Sequence, residues 1–113
     1  MVLHQGILNQ AAQISAEIAS SDLYQRYLLA QTAVESDENL RDGIAEYKRL
    51  QAELHNKHEL GEVNFDSEKH VSSVYWGLML HPAAAEYLRS ERELAVLLVG
   101  VIEKITDSIE LSL

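Results

Sequence analysis

The sequence contains no cysteine. This absence excludes disulfide bonds, thiolate nucleophiles, zinc sites built on cysteine and iron–sulfur clusters held by cysteine. Basic residues are also few, because nine lysines and arginines stand against 18 aspartates and glutamates, which gives a formal charge of −9. Such a chain repels phosphate backbones and anionic lipid, so we expect no direct binding to nucleic acid or to a membrane surface.

Long hydrophobic runs are absent as well. The longest apolar run covers residues 94–102, about half of the roughly 20 residues that a membrane-spanning helix needs. The first 20 residues lack the basic start and apolar core of a signal peptide, so we expect a cytoplasmic protein. With 113 residues, of which 47% are hydrophobic, the chain suits one core but not two, and we predict a single helical domain over 1–113.

Proline and glycine are sparse and mark the predicted helix ends, with one proline and five glycines in the chain. No strand-like alternation is sustained anywhere, whereas apolar residues recur at steps of three and four, so the sequence predicts an all-α fold of about five helices. Helix starts are predicted after Ser20–Ser21, at the caps Asp37 and Asp66, and at Pro82, and Gly61 is predicted to end the third helix.

Two of the predicted helices are long, about 38–60 and 82–110, and we expect them to lie antiparallel with the shorter helices packed around them. The third helix carries a heptad-like seam that begins at Leu40 and Ile44. The fourth is predicted to turn a wide apolar stripe inward. Its members are Val71, Val74, Tyr75, Trp76, Leu78, Met79 and Leu80.

The middle of the final helix is apolar on every side, and such a stretch needs packing partners all round it. The sequence therefore predicts an association surface, on which Gly100 allows close approach of another helix. The predicted surface residues are Leu94, Leu97, Leu98, Val99, Val101, Ile102 and Ile105. A second copy, in a homodimer or a higher homo-oligomer, and a different protein would both need these residues, so the sequence leaves both partners open.

Glu91 interrupts the apolar seam of the same helix. A carboxylate at such a position must be paired or face a gap, so we predict a polar register point, with Arg41, Lys48 or Arg49 as candidate partners. A general acid is the alternative, but no nucleophile or base lies near Glu91 in the sequence.

Other chemical motifs are weak. His55 and His58 stand three residues apart on the third helix, a spacing that differs from the HExxH metal motif, and a solvated helix end is the favoured interpretation. The chain has no glycine-rich phosphate loop or nucleophile elbow. We therefore predict no catalytic, cofactor-binding or metal-binding residue and no enzyme, and keep as an alternative a small-molecule or metal-binding module that uses Glu91 or the two histidines.

Two segments carry a family resemblance. Segment 37–54 has an acidic cap and the core EYKRLQ, and segment 82–98 contains EYLRSERELAVLL. Together with the order of helices over about 7–111, these segments resemble the YlbF/YmcA family, the control-of-competence regulators that include the YheA-like group.

The resemblance implies a cytoplasmic, all-helical, non-enzymatic bacterial protein that self-associates and acts through other proteins. The best-known members are accessory factors in competence, development and biofilm formation, in a complex that adjusts an endoribonuclease and messenger-RNA maturation. Some members hold an iron–sulfur cluster through cysteines. This chain has no cysteine, so we expect no such cofactor here, and the chain looks closer to the YheA-like group.

Overall fold

The computed structural model describes residues 3–62 and 64–109, and the described chain forms five α-helices without a strand. These helices are α1 (Gln5–Ala19), α2 (Asp22–Glu35), α3 (Glu38–Glu59), α4 (Phe65–Met79) and α5 (Pro82–Ile109). The predicted all-α fold of about five helices is therefore confirmed. No helix within the described residues is both long enough and apolar enough to cross a membrane.

Several helix ends form as the sequence predicts. The Tyr24 amide donates a 3.2 Å hydrogen bond to the hydroxyl of Ser21, and the Leu40 amide donates a 3.2 Å bond to the carboxylate of Asp37. Both side chains thus cap a helix start. Gly61 has φ of 77° and ends α3 in a Schellman motif, because the amide of the next residue, Glu62, donates to the carbonyl of Lys57 at 2.9 Å.

The start of α4 differs from the prediction. Asn64, not Asp66, is the cap: it has extended backbone angles, and its side chain accepts a 3.1 Å hydrogen bond from the Ser67 amide. Asp66 lies in the first turn, where its charge favours the helix dipole. Both residue types cap helices, so the sequence alone does not choose between positions two residues apart.

The chain divides into two compact units. The central unit contains residues 30–88, and the terminal unit contains, among the described residues, 3–29 and 89–109. Every described hydrophobic residue that is buried belongs to the central unit. These residues are Ala30, Val34, Ile44, Leu78, Ala84, Ala85, Tyr87 and Leu88.

Inside the central unit, α3 packs against α4. A methyl group placed on Gly43 would lie 3.2 Å from Cδ2 of Leu78, so the glycine allows the two helices to approach closely at this point. The rings of Tyr47 and Tyr75 meet at 5.6 Å between centroids. Glycine and paired aromatic rings therefore hold the α3–α4 contact.

The inward face of α4 is narrower than predicted. Leu78 is buried and Val71, Val74 and Tyr75 are half-buried, in agreement with the sequence pattern. In contrast, Trp76 is 63% exposed, and Leu80 is 83% exposed. The contact with Gly43 selects the side of α4 that carries Leu78, and Trp76 and Leu80 consequently remain in solvent.

Candidate interaction surface on the final helix

The terminal unit contains α1, the first part of α2 and the second part of α5, and it leaves most of its apolar side chains in solvent. No residue of α1 is buried, although its sequence has a clear apolar face, and Ile7 is 68% exposed. Arg26 of α2 pairs with Glu93 of α5 at 3.1 Å, with both side chains about half exposed. A surface ion pair of this kind contributes roughly 0–1 kcal/mol, so it adds little to the stability of this unit.

The seven residues predicted as an association surface are half-buried or exposed on α5. Leu94 and Val101 are half-buried. The other five are exposed to between 38% and 55%, namely Leu97, Leu98, Val99, Ile102 and Ile105. Single exposed apolar residues are common on proteins, but a contiguous set on one helix is typical of an interaction surface.

A shallow groove follows one side of this part of α5. Its volume is about 440 Å³, and its lining residues are Arg92, Ala95, Val96, Val99, Gly100 and Glu103. Only Val99 belongs to the predicted set, and Gly100 was expected to allow close approach. The other four were missed because the apolar residues surround the helix, so the pattern indicates no preferred side. The available signal was that the lining residues alternate steps of three and one along the sequence.

Glu91 is half-buried on α5. Two of its candidate partners have contacts within their own helix, since Arg41 lies 3.4 Å from Asp42 and Arg49 lies 3.0 Å from Glu46. The role of Glu91 as a polar register point stays a prediction.

The two histidines of α3 contact different carboxylates. His55 lies 3.5 Å from Glu59 of its own helix, whereas Nε2 of His58 lies 2.9 Å from Glu68 of α4. No three potential metal ligands come together within the described part of the chain. The geometry therefore gives no support to a shared metal site on these imidazoles.

A second groove lies in the central unit, between the start of α3 and the end of α4, with a volume of about 370 Å³. Its floor includes Leu40, Val74 and Leu78, and its rim carries Glu46 and His81. Its described lining contains no serine, threonine or cysteine.

Two curated proteins are similar to this chain over most of their length. A UPF0342 protein of Caldicellulosiruptor bescii is 29% identical over 107 residues, which covers 94% of this chain and 90% of the relative. A UPF0342 protein of Caldicellulosiruptor saccharolyticus is 27% identical over 108 residues, covering 95% and 90%.

Two solved structures share the fold. A protein of unknown function (DUF964) from Bacillus stearothermophilus matches with a TM-score of 0.80 and 19% identity, covering 93% of both chains. The crystal structure of Bacillus subtilis RicA in complex with RicF matches with a TM-score of 0.63 and 18% identity, covering 95% of this chain and 96% of the other. The family model described as control of competence regulator ComK, YlbF/YmcA, matches residues 7–110. The protein therefore belongs to the YlbF/YmcA family.

Proposed function

We propose that this protein is a non-enzymatic regulator that self-associates through the second half of α5 and acts through contacts with another protein. The observation that carries the proposal is the uneven distribution of the core. All buried hydrophobic residues of the described chain lie in the central unit, while the second half of α5 exposes leucine, valine and isoleucine side chains. Burying such side chains against a partner is favourable, at about 25 cal/mol per Å² of apolar surface.

Family membership supports a regulatory role. The family is described as a control of competence regulator, and its structural neighbour RicA was crystallised in complex with RicF. We propose that this chain likewise works in the cytoplasm through a protein complex, in bacterial developmental control or the regulation of RNA processing. The net charge of −9 favours contact with a protein over direct contact with RNA.

Sedimentation velocity at micromolar concentration tests self-association. We expect the wild type to have a molecular mass above that of the monomer and Val99→Asp to shift toward the monomer, because the substitution places a charge in the apolar surface. The control is Lys57→Ala on α3, outside the terminal unit, which should sediment like the wild type. A wild-type monomer with full helicity by circular dichroism would refute the proposed self-association.

Affinity capture from the native organism, followed by mass spectrometry, tests the second part of the proposal. We expect one protein to be recovered in fixed proportion with the wild type. Repeating the capture with Val99→Asp shows whether that contact needs the assembled form. Recovery of no protein in fixed proportion would contradict a role exerted through a partner.

A further inference from the structure

The groove on α5 has the same residue spacing in both directions along the helix. Measured from the point midway between residues 97 and 98, Val96 and Val99 are equally distant. The same holds for Ala95 and Gly100, and for Arg92 and Glu103. A two-fold axis at that midpoint, perpendicular to the helix, would place each residue level with its counterpart on a second helix.

We propose that two copies of the protein pair through this groove with their α5 helices antiparallel. The inference rests on the proposed self-association and specifies its geometry. Val96 and Val99 from both copies form the apolar centre of the contact. Arg92 of each copy lies level with Glu103 of the other, so two pairs of opposite charge border the valines.

The charges select the antiparallel arrangement. Neither Arg92 nor Glu103 forms a side-chain ion pair with another described residue of its own chain. In a parallel pairing in register, Arg92 would face Arg92 and Glu103 would face Glu103. Juxtaposed like charges are unfavourable, whereas the antiparallel arrangement brings opposite charges together at both ends.

The small residues beside the valines fit the same arrangement. Gly100 lies inside a helix, where glycine is less favourable than alanine. Its own chain does not require glycine there, because a Cβ added at this position would meet no atom within 4 Å. A second helix lying over Ala95 and Gly100 would explain why glycine occupies position 100, since both small residues allow close approach of another helix.

Single cysteines introduced into this cysteine-free chain test the geometry directly. In the antiparallel pair, the two copies of residue 96 are separated by about 4.5 Å along the helix axis, and the two copies of residue 103 by about 16 Å. We expect Val96→Cys to form a disulfide-linked dimer under mild oxidation and Glu103→Cys alone to form none. A mixture of Arg92→Cys and Glu103→Cys should form the mixed disulfide dimer.

Charge exchange provides a second measurement that does not depend on oxidation. We expect Arg92→Glu to weaken the dimer by about tenfold in Kd, because two repelling pairs replace two attracting pairs. The double variant Arg92→Glu/Glu103→Arg should recover the wild-type Kd. Circular dichroism of each variant establishes that its helices are intact.

The outcomes separate the two proposals. Self-linking of Glu103→Cys as efficient as that of Val96→Cys would show a parallel pair and overturn this inference. A wild-type dimer without any of the expected disulfides and without charge rescue would place the contact on another side of the second half of α5, which also overturns the inference while the proposed function survives. A wild-type monomer would defeat both.

Discussion

Lys48 Nζ donates a 2.8 Å hydrogen bond to the hydroxyl of Tyr87, and this bond joins the middle of α3 to the first part of α5. Tyr87 is only 7% exposed, so its hydroxyl depends on protein partners for its hydrogen bonds. The pair therefore places a partly buried polar contact beside the core of the central unit.

Tyr87→Phe should lower the free energy of unfolding by about 1 kcal/mol, because the ring volume is kept while the hydrogen bond to Lys48 is lost. Urea denaturation measures the change. Tyr24→Phe is the matched control, since Tyr24 is only half-buried and its ring contacts Tyr27. Equal midpoints for the two variants would contradict a stabilising role for the Lys48 bond.

Removal of the α4 cap distinguishes the structure from the sequence prediction. Asn64→Ala should reduce the free energy of unfolding by about 1 kcal/mol, because the Ser67 amide loses its acceptor. Asp66→Ala should cost about 0.3–1 kcal/mol, since it removes only a charge near the helix dipole. Thermal unfolding of both variants compares them, and a larger loss for Asp66→Ala would restore the predicted cap.

Two glycine replacements test the close contact between α3 and α4. Gly77→Ala should stabilise the protein by up to about 1 kcal/mol, because its new methyl group meets nothing within 4 Å and alanine is the better helix former. Gly43→Ala should gain less or lose stability, since its methyl group would press on Leu78 at 3.2 Å. Chemical denaturation under identical conditions gives the order, and a gain for Gly43→Ala equal to that for Gly77→Ala would contradict a tight contact.

Glu46 and Arg49 give an acid-dependent prediction. The hydrogen bond from Arg49 is the main cause that lowers the pKa of Glu46, and the charges of Arg49 and His70 act in the same direction. Because the pKa is lower in the folded chain, this interaction stabilises the fold above the unfolded pKa of a glutamate. The contribution is lost as pH falls through the lowered pKa.

Arg49→Met should therefore raise the pKa of Glu46 toward its ordinary value and remove that part of the acid dependence of stability. A ¹³C NMR titration of the side-chain carboxyl measures the pKa. Arg41→Met is the control, because Arg41 contacts Glu38 and Asp42 and its loss should leave Glu46 unchanged. An unaltered Glu46 pKa in Arg49→Met would disprove the assigned cause.

Much of the fold follows from local chemistry in the sequence. Asp37, Gly61 and Pro82 each have one favourable position in or beside a helix, so the corresponding helix ends were predictable. The start of α4 was not, because Asn64 and Asp66 are both good caps. The exposure of Trp76 was also not predictable from the sequence, since a wide apolar stripe does not indicate which of its sides another helix will cover.

The candidate surface was predictable as a segment but not as a face. Residues 94–102 place apolar side chains on all sides of α5, so the hydrophobic pattern does not indicate which side binds a partner. Arg92 and Glu103 lie outside that run, and their relationship becomes visible only when positions along the helix are compared across the groove. The sequence therefore predicted association through α5, whereas the side of the helix that carries the groove was evident only from the structure.

The uneven distribution of buried side chains affects how selection acts on this chain. A substitution at Ile44 or Leu78 in the central unit affects folding stability, because both side chains are buried and a cavity there costs several kcal/mol. A substitution at Val96, which is 65% exposed, affects mainly the binding of a partner. Relatives can therefore keep the same fold while changing binding partners. We expect the sequence differences that accompany such changes to accumulate in the second half of α5.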